Sequence, residues 1–512
     1  MTFFESLLVL LLAAIVLLQI ARRLALPYPA MLALAGVLVA FIPGAPTIVI
    51  DPGTALALFI APVLLDAAFD FPIGTAWRLW RPLVALAVGA VLVTTAVVAW
   101  IGWAFAGLPI AAAVVLGAIV APPDAAAATA VLGAVSLPRR TVAVLKGESL
   151  FNDATALLLF GAALAIQANG GFDAGVGLRL TIAAPGGILL GIAFAWLMKR
   201  VNRFVTGTLG GTIVQFLSAF LVWIVADHLQ LSAVLAVVAC AMTLARSSEL
   251  TSSPRMRVHS YAVWATVVFL LNVLAFLLMG MQARTIFGRM TPERLREALT
   301  VLALVIAAIT VARFAVVMAW NVLARRYQAI RGHLPAPTPA QGVIVSWSGM
   351  RGLVSLATAF ALPPDFPQRD LVVLVAFGVV LVTLIFQGLT LTPLIRLLKL
   401  DRMEDPGEEL AASRATLAGI GLVALDGEAG PEAENLRFGY RMEQGVRGEA
   451  GAASCGRHRA LGLAAIGAER CELERMRAEN EIGAATYELL QEELDWREIA
   501  LLPDRERRIE ES

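Results

Sequence analysis

Cysteine is scarce in this chain of 512 residues. It occurs only at Cys240, Cys455 and Cys471, with no CxxC pair and no ligand-like spacing. That pattern excludes a disulfide framework and a cysteine zinc site. Charge is scarce too: 15% of residues are Asp, Glu, Lys or Arg, 59% are hydrophobic, and the mean hydropathy is +0.79. A soluble chain of this length could not hide so much apolar surface. Lysine is nearly absent, standing only at Lys146, Lys199 and Lys399, so arginine carries almost all the positive charge. No nucleic-acid partner and no cofactor are expected.

What remains is a series of apolar runs, most of them long enough to cross a bilayer at roughly 17–25 residues each. About thirteen spans can be drawn, at roughly 3–21, 28–43, 53–70, 82–106, 109–133, 143–167, 178–198, 211–227, 231–246, 261–282, 298–323, 341–362 and 370–396. The second and ninth are short. The first follows no basic leader and carries Glu5, while Arg22 and Arg23 come after it, so it reads as a retained span rather than a signal peptide. Alternate loops concentrate the basic residues, including Arg78/Arg81, Arg139/Arg140, Lys199/Arg200/Arg203, Arg255/Arg257, Arg325/Arg326/Arg331 and Arg396/Lys399/Arg402. The loop with Arg284, Arg289, Arg294 and Arg296 is the exception. The alternation predicts an outside N-terminus and a cytoplasmic C-terminus in a multi-pass cell-membrane protein.

The charge balance divides the chain. Residues 401–512 hold 25 acids and 14 arginines, whereas the first 400 are net basic. A membrane domain over 1–402 and an acidic, helical cytoplasmic tail over 403–512 are therefore expected. Gly483 would separate two tail helices.

A few residues inside the spans do not suit lipid. Intramembrane ionisable groups are costly and point to function. Asp124 lies in "GAIVAPPDAAAATA", mid-way along the fifth span; Glu148 and Asp153 lie on the sixth, in "GESLFNDATALLLF". Arg313 is mid-span in the eleventh, Arg351 sits in "SWSGMRGLVSLA" in the twelfth, and Asp66 lies near one end of the third. Pro122 and Pro123 remove two amide donors from the fifth span. Gly349 and Gly352 loosen the twelfth. Both helices are expected to break at mid-depth, running in opposite directions, so spans 2–6 and 9–13 would form two inverted five-helix repeats. Matching breaks in inverted repeats mark a transporter's binding site. On the sixth span Glu148 and Asn152 share one face, and Ser149 and Asp153 the adjacent one. One face would bind an ion and the other hold the helix; the plainer reading is that these groups only bridge helices. Arg351 would either join the site or neutralise helix ends at the break.

The segments "VAPPDAAAATAVLG", "LKGESLFNDATALLLF", "TVARFAVV" and "SWSGMRGLVSLATAFALP" resemble the monovalent cation/proton antiporter family, on its electroneutral sodium/proton exchanger branch. The resemblance covers roughly residues 1–400. It implies an all-helical fold of two inverted repeats with crossed broken helices, a homodimer, and alternating access by movement of a core against a dimerisation domain. By the same resemblance Asp153 binds cation and proton, Asn152 marks the electroneutral branch, Asp124 is the second acid and Ser149 a hydroxyl ligand. Glu148 would pair with Arg313 and steady Asn152, with Arg351 as the other candidate partner. Where the family often has threonine, Pro123 stands here. The hydroxyl is lost and a carbonyl remains.

At low pH Asp153 would hold a proton; at higher pH its carboxylate would bind sodium, or potassium or lithium, with oxygens from Asp124 and Ser149, since hard cations prefer such ligands. Proton and cation would then compete for one site, which is antiport. Two rivals are a cation channel or tail-regulated sensor, and an intramembrane aspartyl protease using Asp124 and Asp153 to activate water. The protease reading lacks a GxGD-like motif and leaves the paired breaks unexplained.

Overall fold

The computed structural model describes residues 12–20, 23, 28–40, 52–124, 137–205, 208–248, 254–282, 288, 290–400, 406–444, 449–479 and 481–503. The expected first span lies partly outside the described residues, as do Arg22, Arg284, Arg289, Arg402 and the second half of the fifth span. All regular elements among the described residues are helices. The chain divides into two compact units, 1–403 and 404–511.

The first unit contains α1 (Tyr28–Ala40), α2 (Pro52–Phe69), α3 (Ile73–Ala106), α4 (Ile110–Val120), α5 (Arg139–Asn169), α6 (Ala174–Val205), α7 (Leu209–His228), α8 (Ala233–Ser248) and α9 (Pro254–Met281). It continues with α10 (Pro292–Arg326), α11 (Pro339–Trp347), α12 (Leu353–Phe360) and α13 (Arg369–Leu397). Among the described residues seven helices are long and apolar enough to cross a membrane; they lie within α3, α5, α6, α7, α9, α10 and α13. α1, α2, α4 and α8 are apolar but shorter.

Several helices outrun their apolar stretches. α3 begins at Ile73, so Arg78 and Arg81 are helical rather than in a loop. Pro82 sits inside that helix without ending it, and a π-helical segment, Ala85–Ala90, follows at once. The exposed Trp77 and Trp80 near one end of α3 stand 23 residues from Trp100 and Trp103 near the other. At 1.5 Å per residue that separation is roughly 35 Å, the distance between the two aromatic belts of a bilayer. α10 likewise starts at Pro292, because Thr291 caps it by accepting from the Arg294 amide at 3.5 Å. Arg294 and Arg296 therefore occupy its first turns.

Small residues set the closest helix approaches. A Cβ on Gly36 of α1 would overlap the Leu277 carbonyl of α9, and one on Gly280 would overlap that of Ala33. The two backbones touch only because both positions are glycine, the usual device for packing helices in lipid.

The second unit holds α14 (Pro406–Ala424), α15 (Pro431–Gln444), α16 (Glu449–Ala478) and α17 (Ala484–Leu501), with Gly483 as the residue that precedes α17. Its core includes Ile466, Leu473 and Leu494. Arg470 of α16 reaches Asp495 and Glu498 of α17, both at 2.5 Å, and Arg497 reaches back to Glu469 at 2.7 Å.

Candidate functional site

The site forms beside α5, where the end of α4 meets the interruption between α11 and α12. α4 ends at Val120, and residues 121–124 leave the helix at Pro122 and Pro123. α11 ends at Trp347, and five residues, Ser348 to Gly352, separate it from α12. The two interruptions are joined through their backbones: the Asp124 amide donates to the Met350 carbonyl at 2.7 Å. The Asp124 carboxylate then accepts from the Leu353 amide at 3.2 Å, at the first residue of α12. Free amides at a helix start favour a negative partner there. Gly352 is required by proximity, since a Cβ at that position would run into the Asp124 carboxylate.

Arg351 is 1% exposed and serves the opposite helix ends. Its Nε donates to the Val120 carbonyl at 2.9 Å, one terminal nitrogen reaches Ala121 at 3.5 Å, and the other donates to the Gly349 carbonyl. A cation at carbonyls left open by a helix C-terminus is stabilising. The Arg351 amide itself donates to Thr383 Oγ1 on α13 at 3.1 Å.

Glu148, Ser149, Asn152 and Asp153 of α5 do different things. Glu148 is 1% exposed and forms a two-pronged ion pair with Arg313 of α10, at 2.6 and 3.1 Å. Arg313 also donates to the Val345 and Ser346 carbonyls near the end of α11. A Cβ on Gly349 would overlap its side chain, so the glycine makes room for the guanidinium. This bridge thus ties α5, α10 and α11 together at one depth. Asn152, fully buried, donates to the Pro123 carbonyl at 2.9 Å, while its own Oδ1 has no partner among the described residues. Its amide is therefore held by the segment that follows α4 and not by Glu148, a difference from the expectation. The reason is geometric: the chain leaves the helix at Pro122 and Pro123, and the Pro123 carbonyl comes within reach of α5.

Asp153 is 6% exposed, and among the described residues its carboxylate has no hydrogen-bond or ion-pair partner. Asp124 is near enough for the two charges to interact. Ser149 is half-buried one turn before Asp153 on the same strip. Asp66, on α2, is also half-buried. The structure thus collects Asp124, Asn152, Asp153, Pro123 and the Arg351 break in one place, and keeps Glu148 and Arg313 as a neighbouring bridge. A cavity of about 620 Å³ lined by Phe105, Glu293, Arg296 and Glu297 lies at the beginning of α10, and no residue of this group lines it.

Thr383 was not singled out from sequence. It belongs with Gln387 and Thr390 to a polar strip spaced i, i+4, i+7 on the otherwise apolar α13. Thr390 accepts from Trp347 Nε1 at 2.9 Å. That spacing was the available signal: one face of a buried helix carrying hydroxyls and an amide faces another polar element.

The family model described as sodium/hydrogen exchanger, transmembrane, matches residues 8–397. An uncharacterized Na(+)/H(+) exchanger of Mycobacterium bovis is 32% identical over 416 residues, spanning 78% of this chain and 75% of that protein. A sodium, potassium, lithium and rubidium/H(+) antiporter of Bacillus pumilus is 30% identical over 386 residues, spanning 72% of this chain and 57% of its own length. The solved structure of the sodium proton antiporter MjNhaP1 from Methanocaldococcus jannaschii at pH 8 superposes with a TM-score of 0.58 at 19% identity, covering 78% of this chain and 100% of that one. At that identity the likeness is one of fold.

Proposed function

The chain belongs to the sodium/hydrogen exchanger family, and on that premise we propose that it exchanges sodium for protons at Asp153, electroneutrally and by alternating access. Cation/proton antiport is the family's activity, and its members are integral membrane transporters rather than enzymes. Potassium and lithium are the alternative cargoes.

The observation that carries the reading is the state of Asp153. A carboxylate deep in the membrane unit, with no described partner, needs either a proton or a cation. Asp124 already has one oxygen engaged with the Leu353 amide, and Glu148 is paired with Arg313. Asp153 is the acid whose charge is uncommitted. A protonated Asp153 binds no cation; loss of the proton opens the carboxylate to sodium, with Asp124 and Ser149 as neighbouring oxygens. Each turnover then moves one positive charge each way.

The architecture proposed around this site has about thirteen spans, with spans 2–6 and 9–13 as inverted repeats crossing at α4 and α11–α12. The N-terminus lies outside and the tail, from residue 403, in the cytoplasm, in a homodimer within the cell membrane that contributes to pH homeostasis. Purified protein in proteoliposomes tests the core reading. Inward sodium, potassium or lithium gradients should each be compared for driving proton efflux. Asp153→Asn should abolish the flux while the protein remains folded. Flux retained near the wild-type rate in that variant would falsify the assignment.

A further inference from the structure

The α10–α11 connection, residues 327–338, is held by side chains from two other helices. Arg81 of α3 donates through Nη1 to the Ala329 carbonyl at 2.6 Å, and Arg140 of α5 donates through Nη1 to the Pro335 carbonyl. Between these points the chain turns at Gly332, whose φ of +66° lies in the left-handed region, with the Arg81 guanidinium packed where a side chain would begin. The connection ends in a capping box that starts α11: Thr338 Oγ1 accepts from the Gln341 amide at 3.2 Å, and the Gln341 side chain accepts from the Thr338 amide at 2.9 Å. Asn321 of α10 fixes the same residue by donating to the Thr338 carbonyl at 2.9 Å.

Both arginines stand in segments rich in positive charge, and membrane topology alone would explain charge there. It does not explain their partners. Among the described residues neither guanidinium pairs with a carboxylate; each is directed at a carbonyl of the same short connection.

The consequence follows from the lever arm. α5 and α11 are already joined through Glu148, Arg313 and the Val345 carbonyl. One attachment fixes the separation of two rods and leaves their angle free. Arg140 adds a second attachment eight residues before Glu148, about 12 Å along the helix axis, at a point three residues before the cap of α11. Two attachments set the tilt of α11 against the helix that carries Asp153.

We propose that Arg140, assisted by Arg81, is a positioning residue: it holds the 327–338 connection as a strap that sets the angle of the α11 half-helix, and so the geometry of the break beside Asp153. Each arginine uses a single N–H, so a lysine should perform the same task, whereas glutamine should not reach.

The test uses the full chain in nanodiscs and proteoliposomes, with R81Q/R140Q and R81K/R140K compared to wild type. Backbone amide exchange over 340–347 should be at least about threefold faster in the glutamine pair and restored in the lysine pair, with α13 unchanged in both. In the transport arm, which rests on the exchange activity proposed above, the glutamine pair should raise the apparent KM for sodium several-fold with maximal rate within about twofold of wild type. Unchanged protection of α11 in the glutamine pair, or a defect that lysine does not repair, overturns the strap. If the glutamine pair does not assemble, R140Q alone carries the same comparison against R140K. A wild-type chain inactive with every cation would sink the exchange reading and leave the amide-exchange result standing.

Discussion

Asp124 and Leu353 join the segment that follows α4 to the start of α12 across 229 positions of sequence: the carboxylate of one accepts from the amide of the other at 3.2 Å. An acid read from sequence as a cation ligand is therefore also the cap of a half-helix. The two roles separate by mutation. Asn caps as well as Asp, whereas Ala does not. Asp124→Asn should keep thermal stability close to wild type, and Asp124→Ala should lose about 1 kcal/mol. Equal losses in the two variants would mean that charge, and not capping, is what Asp124 supplies. Gly352→Ala should be worse than either, because its Cβ would displace the carboxylate itself.

The Glu148–Arg313 bridge makes a second, sharper case. Both side chains are at least 96% buried. Removing one partner leaves a lone charge in a dry setting, which costs roughly 3–5 kcal/mol. Arg313→Gln should be the more damaging single change, since it also strips donors from the Val345 and Ser346 carbonyls. The pair Glu148→Gln with Arg313→Gln should cost clearly less than the two single effects added. Thermal unfolding of the four proteins in one detergent decides the matter, and strict additivity would rule out the coupling.

How much of this was open to reading follows physical lines. Two adjacent prolines forbid helix by local sterics alone, so the end of α4 at Val120 is visible in the residues 121–124 themselves. The helix ends elsewhere were less legible. Hydropathy reports contact with hydrocarbon, while a helix continues as long as its backbone is satisfied; α3 and α10 therefore start well before their apolar runs, the latter at a Thr291–Pro292 cap that the sequence itself carries. Pro82 shows the converse, a proline that the helix carries without ending. The partners of Asn152, Asp124 and Arg351 were beyond local reading. Each meets a carbonyl, amide or charge supplied by a distant crossing, and no spacing along one helix encodes which of several polar neighbours will arrive.

The tail is a compact unit of its own. It has its own small core at Ile466, Leu473 and Leu494 and its own ion pairs between α16 and α17. None of the proposed transport residues lies in it. Deleting residues 404–512 should leave a folded membrane unit that still exchanges cation for proton, with any change confined to the pH dependence of the rate. The measurement is sodium-driven proton flux from about pH 6 to 9, a range that includes the ordinary histidine pKa of roughly 6.5 and lies above that of an exposed carboxylate. A stable truncation with no flux at any pH would make the tail part of the transport machinery.

Stoichiometry tests the charge assignment as a whole. Four acids and arginines surround the break in engaged roles: Glu148 with Arg313, Arg351 with the α4 and α11 carbonyls, and Asp124 with the Leu353 amide. Asn152 beside Asp153 offers an amide where a second carboxylate would have offered another proton site. If Asp153 alone trades a proton for a monovalent cation, no net charge crosses. Vesicles with a potassium diffusion potential set by valinomycin, and sodium as the substrate, should then exchange at a rate independent of the potential's sign. A rate that rises strongly with one sign would require a second proton, and Asp124 is the group that would carry it. Repeating the measurement in Asp124→Asn separates the cases: in that variant a charge-moving cycle would become potential-independent, while an electroneutral one would stay as it was.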